Sequence, residues 1–247
     1  VGDIKTPKVT LDEIFNYLQH ADRPCLVAID EFQQITKYGD PNIEAAIRTH
    51  VQYCNNAHFV FSGSRRHLMG AIFTSPARPF YQSVTLYHLN RLPLDKYTEF
   101  CVTHFRRHGK TLDELVVSRL YSQFDGITYY MQRVMNELFS KTSVNGTCIE
   151  ADVSMAVDEI IAISSIIYED LMYQLPEKQS RVLIAVAKEG CAENVTSGTF
   201  VKRHGLLSPN SVKSAIPALI DKGLLTQDKG SYKVYDLFFA LWLIKNF

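Results

Sequence analysis

The sequence predicts an α/β parallel-sheet core, then an all-helical unit, then a small domain of three helices closed by a β-hairpin. Three observations carry this. Apolar runs without alternation, Cys25-Leu26-Val27-Ala28-Ile29 and His58-Phe59-Val60-Phe61, alternate with helical patterns in residues 1–92. Residues 93–173 are helical in period throughout, with breaks at Gly109, Gly126 and Gly146. In residues 174–247 three helical patterns lead into Leu224-Leu225-Thr226 and Tyr232-Lys233-Val234-Tyr235, parted by the turn Asp228-Lys229-Gly230.

Each element follows from local chemistry. Thr10-Leu11-Asp12-Glu13 has the spacing of a capping box, and Ile14, Tyr17 and Leu18 continue an apolar face, which predicts a helix from about residue 11 to 20. The Cys25 run lacks alternation, so it predicts a strand buried on both faces. Asp40-Pro41-Asn42 opens a second helix with Ile43, Ala46, Ile47, Val51 and Cys54 on one side. A short helix over 66–73 and a third strand over 84–89 complete the α/β region. Helices are expected over 94–108, 112–124, 129–140 and 149–173. Beyond residue 174 a helix ends near Lys188, another spans about 197–204, and a third starts with Ser208 as N-cap and Pro209 at its first position. The apolar face of the third is Val212, Ala215, Ile216, Leu219 and Ile220, and Gly223 ends it. Three helices followed by a hairpin is the winged helix-turn-helix order.

Composition excludes several classes. Lys+Arg 26 balances Asp+Glu 26, so no whole-chain field recruits nucleic acid or an anionic membrane, and such contacts need a local patch. Cys25, Cys54, Cys101, Cys148 and Cys191 are odd in number and form no C-x-x-C pair, which favours a reducing cytoplasm and disfavours zinc. No apolar run reaches the roughly 20 residues of a membrane span. Val1 opens a polar, turn-rich stretch (Gly2, Asp3, Lys5, Pro7) without Met, so further sequence is expected upstream.

The strongest chemical signal is Leu26-Val27-Ala28-Ile29-Asp30-Glu31, a strand that ends in two adjacent carboxylates. Phosphoryl transfer uses this arrangement: one acid at a strand tip holds Mg²⁺ beside the phosphates, and its neighbour orients the attacking water. Asp30 fits the first role and Glu31 the second; the ordinary alternative is that Asp30 caps the following helix. The next strand ends in Phe61-Ser62-Gly63-Ser64-Arg65, where a hydroxyl and a guanidinium would sense a γ-phosphate or, in the ordinary reading, cap a loop.

These segments resemble a known family. Leu26 to Gln33 is similar to a Walker B segment, and His58 to Met69 (HFVFSGSRRHLM) resembles the sensor 1 segment of archaeal-type P-loop ATPases of the AAA+/STAND group. Thr74-Ser75-Pro76-Ala77-Arg78-Pro79-Phe80-Tyr81 resembles the loop that follows, and Leu92-Pro93-Leu94 with Tyr97-Thr98-Glu99-Phe100 the entry to the lid. Asp125-Gly126-Ile127-Thr128-Tyr129-Tyr130-Met131-Gln132 resembles the start of a lid helix, and Tyr235 to Trp242 the closing segment of the winged helix. The resemblance implies an ATP-binding and hydrolysing switch that uses Mg²⁺. It implies Asp30 as the metal carboxylate, Glu31 as the catalytic acid, Ser64 with Arg65 as sensor, and Arg78 and Thr128 as nucleotide contacts. The chain departs from the family at Gln82-Ser83, where relatives carry an arginine, and at Thr128, where they often carry proline near the base.

Walker A is absent. Gly109-Lys110-Thr111 has His104 where G-x-x-x-x-G-K-[ST] needs its first glycine, and it follows a helix, so it reads as a helix break. The phosphate loop is therefore expected upstream of Val1, together with the strand that sits between those at 58–61 and 84–89. Without that loop, ATP and Mg²⁺ binding should be weak.

Partners are open to two readings. Lys202, Arg203, His204, Lys213, Lys222, Lys229 and Lys233 outnumber Asp221 and Asp228, which suits DNA phosphates, with Ser211 and Ser214 as base-edge candidates. The other reading is docking of a protein partner or intramolecular regulation, and an oligomer is compatible with both. A non-catalytic regulator or scaffold with a degenerate ATPase core is the rival to the switch. His104 and His108 have metal-ligand spacing, but Arg106 and Arg107 between them favour a basic exposed helix. Tyr129, Tyr130, Phe238, Phe239 and Trp242 read as core.

Overall fold

The structure is a computed structural model that describes residues 7–247, and it divides into a unit reaching to Leu89 and a second unit, Asn90–Phe247. The first unit contains α1 (Pro7–Gln19), β1 (Cys25–Ile29), a 3-10 helix (Phe32–Lys37), α2 (Ile43–Tyr53), β2 (Ala57–Phe61) and α3 (Arg66–Thr74). β1 and β2 pair in parallel from Cys25↔Ala57 to Ile29↔Phe61. Their shared covered face presents Phe59 to Phe15 of α1, and Phe61 to a cluster of Phe32, Phe73 and Phe80 with centroids 4.4 to 5.8 Å away.

The opposite face is bare. Leu26 is 75% exposed and Val60 50%, with Ala28 and His58 beside them. Burial on both faces of β1 is thus overturned: both faces are apolar, but nothing among the described residues covers this one. The expected strand over 84–89 is also overturned. The segment has no ladder partner among the described residues, and Tyr87 and Leu89 stand exposed. An extended segment becomes a strand only when a neighbour accepts and donates its hydrogen bonds.

The second unit contains α4 (Leu94–Arg107), β3 (Thr111–Leu112), α5 (Glu114–Gln123), α6 (Thr128–Lys141), β4 (Thr147–Cys148) and α7 (Asp152–Tyr173). Asp113 caps α5 by accepting from Leu115 N–H, so the helix starts two residues later than its periodicity predicts, and the freed Thr111-Leu112 pairs with Thr147-Cys148.

The winged helix follows in the expected order: α8 (Glu177–Glu189), α9 (Gly198–Arg203), α10 (Pro209–Asp221), β5 (Leu225–Asp228), β6 (Ser231–Val234) and α11 (Leu237–Asn246). Ser208 and Ser211 form a reciprocal capping box at α10, and the hairpin turns at Lys229 and Gly230, both at positive φ. Asp236 caps α11, which seats Phe238, Phe239, Trp242 and Leu243 in the core.

One hydrophobic core runs from Tyr97 of α4 to Leu243 of α11. The Tyr130 hydroxyl on α6 donates to Tyr235 C=O at 3.3 Å and accepts from Leu237 N–H at 3.2 Å, which fastens the helical region to the winged helix. Trp242 Nε1 donates to Ser165 of α7 at 2.9 Å. Tyr129 departs from the expected core and is 67% exposed, because it lies on the side of α6 opposite that packing.

Candidate functional site

Parallel pairing brings two strand tips together. Beyond the strands the ladder continues, with Ser62 N–H donating to Ile29 C=O at 3.0 Å and Phe32 N–H to Ser62 C=O at 2.9 Å. Asp30 and Ser62 therefore lie side by side. Ser62 Oγ donates to Asp30 Oδ1 at 2.6 Å, and Glu31 N–H donates to the same oxygen at 2.9 Å. The Ser62 hydrogen bond first, and the Glu31 amide second, hold the Asp30 carboxyl below its ordinary range against a small opposing effect of burial. Asp30 is exposed and ionised, and Oδ2 has no hydrogen-bond partner among the described residues.

Asp30 is not a helix cap. The N-cap of the 3-10 helix is Glu31, whose side chain makes no cap hydrogen bond. Glu31 instead sits in the left-handed region (φ 50°, ψ 37°), a conformation that costs a non-glycine residue roughly 1–3 kcal/mol and recurs at functional sites. Its Oε2 accepts from Gln33 Nε2 and from Ser64 Oγ at 3.3 Å. Arg65 is exposed, and its guanidinium has no hydrogen bond or ion pair among the described residues, so it is available to an anion.

An apolar hollow of about 450 Å³, lined by Leu11, Phe32, Ile35, Tyr38 and Ile47, opens beside Asp30 and Glu31, the charged groups on its wall among the described residues. No cluster of three or more His, Cys, Asp or Glu side chains able to hold a metal occurs among the described residues. Asp30 fits Mg²⁺, which uses one or two carboxylates and takes its remaining oxygens from water and phosphate.

The other expected contacts are placed differently. Arg78 Nη2 pairs with Glu44 Oε2 of α2 at 3.0 Å, and Glu44 is buried, so this guanidinium is occupied by an internal carboxylate. Thr128 is the first residue of α6 and belongs to the second unit. Lys110 donates to Phe139 C=O and lies 3.9 Å over the Phe139 ring, which fits a helix break rather than a phosphate loop. His104 packs tilted and His108 edge-on against Phe139 in an aromatic group.

On the winged helix many cations are engaged. Glu189 takes both Arg203 and His204 at 2.8 Å, Lys222 donates to Gln179 at 2.8 Å, and Lys233 lies 3.9 Å from Asp125. Ser211 serves the capping box, and Ser214 donates to Ser211 C=O, so neither hydroxyl is free to read a base edge.

Sequence reasoning missed Ser62 and Gln33 as site residues. Ser62 is one residue beyond an apolar strand, which marks a strand tip; Gln33 carries no signal, because its burial follows from packing alone.

Residues 166–245 match the family described as "Probable winged helix domain". Among solved structures the chain is similar to the Walker-type ATPase of Pyrococcus abyssi, with TM-score 0.65 and 16% identity over 96% of this chain and 68% of that one. It is also similar to the RuvB Holliday junction branch migration motor of Thermotoga maritima, with TM-score 0.50 and 13% identity over 93% of this chain and 72% of that one. No curated protein matches. The chain shares its fold with these two structures, and its last third matches a winged helix domain. At these identities the likeness is one of fold. Among the described residues no helix is long and apolar enough to cross a membrane.

Proposed function

We propose that the chain is the Walker B to winged-helix portion of a cytoplasmic ATP-binding and hydrolysing switch of the AAA+/STAND kind. The observation that carries this is Asp30, held ionised at the tip of β1 by Ser62 of the neighbouring parallel strand with one oxygen open, and with Glu31 next to it. Asp30 would hold Mg²⁺, which neutralises phosphate charge when bound; Glu31 would orient the attacking water, and Ser64 and Arg65 would sense the γ-phosphate. Arg78 is held by Glu44 and reaches nucleotide only if that pair opens; Thr128 is the proposed contact from the lid.

The phosphate loop would come from polypeptide preceding the chain. Support comes from the bare face at Leu26, Ala28, His58 and Val60, and from the unpaired segment 84–89, both of which an added strand and helix would cover. Because the helical region and the winged helix share a core, a change in the lid carries the winged helix with it. A protein partner suits the winged helix better than DNA, since Arg203, Lys222 and Lys233 are engaged internally.

In the intact gene product, Glu31→Gln should keep Mg-ATP binding and abolish turnover; unchanged hydrolysis removes Glu31 from the mechanism. The 247-residue chain alone should show no saturable Mg-ATP binding at micromolar concentration, and tight binding refutes the assignment of the phosphate loop to other sequence. The DNA reading keeps Lys202, Lys213 and Lys229: loss of about one unit of salt slope per contact on their removal would favour it.

A further inference from the structure

Only Gln33 and Glu44 are buried polar or charged residues among those described. Glu44 is neutralised by Arg78, whereas Gln33, 1% exposed, has no such structural partner. Its Nε2 donates to Glu31 Oε2, and its Oε1 is buried without any partner among the described residues. An unpaired buried amide oxygen is costly, and an apolar side chain of similar size would fill the place near Met69 without that cost.

The neighbouring strand is shaped around the same amide. A Cβ on Gly63 would overlap Gln33 Oε1 and Met69 Sδ, so glycine is needed there for room, not for its backbone angles. Ser64, the next residue, supplies the second donor to Glu31 Oε2.

We infer that Gln33 is a positioning residue for Glu31. With Ser64 it forms a two-donor cradle on Oε2, fixes the carboxylate despite the left-handed backbone beneath it, and leaves Oε1 to face the water that attacks phosphorus. Gly63 couples this cradle to the strand tip that bears Ser64 and Arg65. The inference rests on the proposed role of Glu31, and two measurements separate the two.

The first uses the 247-residue chain and the ¹⁵N side-chain amide signal of Gln33. Slow hydrogen exchange is expected, lost on Glu31→Ala; a rapidly exchanging amide in the wild type overturns the inference whatever the activity. The second uses the intact ATPase. Gln33→Met, which removes the donor but fills the space, should lower kcat roughly 10- to 100-fold with KM for ATP unchanged and Tm not lowered. Gly63→Ala, which pushes the amide aside without removing it, should lower kcat in the same way with KM for ATP unchanged, and lower Tm because of the overlap. Unchanged kcat in both single variants overturns the inference. A wild type that hydrolyses no ATP while the Gln33 amide stays protected overturns the ATPase reading and the catalytic purpose of the cradle with it.

Discussion

The two units place apolar sequence under different conditions. In the second, α4 to α11 enclose one another, and Val116, Leu183, Leu219 and Leu243 are fully buried. In the first, a small cluster of Phe32, Ile72, Phe73 and Phe80 underlies a two-stranded sheet whose other face shows Leu26 and Val60 to solvent. Hydrophobicity states that a surface is to be covered; it does not state by what.

The largest expected effect breaks the chain between the units. Expressed alone, 90–247 should melt cooperatively with native near-UV circular dichroism, whereas the fragment ending at Leu89 should lack a cooperative transition, because its sheet cannot bury both faces. A cooperative first unit would remove the contrast. A sharper form uses one substitution in each core: Phe124→Ala and Phe80→Ala should each cost about 3–5 kcal/mol. Phe124→Ala should lower the calorimetric transition of the second unit, whereas Phe80→Ala should leave that transition in place.

Within the second unit, Tyr130→Phe leaves Leu237 N–H and Tyr235 C=O without the hydroxyl between them, and should cost about 1–2 kcal/mol in a denaturant titration. Burial pushes this phenol up to about 12, so the loss should be constant across neutral pH. Arg91 grips Asp125 with a two-pronged pair at 2.7 and 2.5 Å, but both are half exposed, so Arg91→Ala should cost under about 1 kcal/mol and less in high salt.

The smallest effect concerns acid. Asp30 is lowered by Ser62, and Glu189 by Arg203 and His204. A carboxyl with a lowered folded pKa stabilises the fold above its unfolded value, about 4, and that stabilisation is lost as pH falls through the folded value. Glu189→Gln should flatten the acid limb of Tm against pH for the second unit, and Asp30→Asn should leave that limb unchanged.

Much of the site was legible because its signals are local. An apolar run followed by Asp30-Glu31 marks a strand tip with two acids, and Ser208-Pro209 marks a helix start, whatever surrounds them. What was not legible depends on neighbours. The 3-10 helix turns Glu31 toward Gln33, the β1–β2 register sets Ser62 against Asp30, and Glu44 occupies Arg78. Phe238, Phe239 and Trp242 were legible as core from their helical spacing, and they lie buried on α11.

The sequence by itself determined the order of the elements, the winged helix and the two acids at the end of β1, since periodicity, capping and turn chemistry act over a few residues. Only the tertiary structure decided that one face of the sheet is bare, that 84–89 is no strand, and that a buried glutamine grips Glu31. Those outcomes depend on which groups meet across the fold: a strand needs a partner for its hydrogen bonds, and a buried amide needs an acceptor.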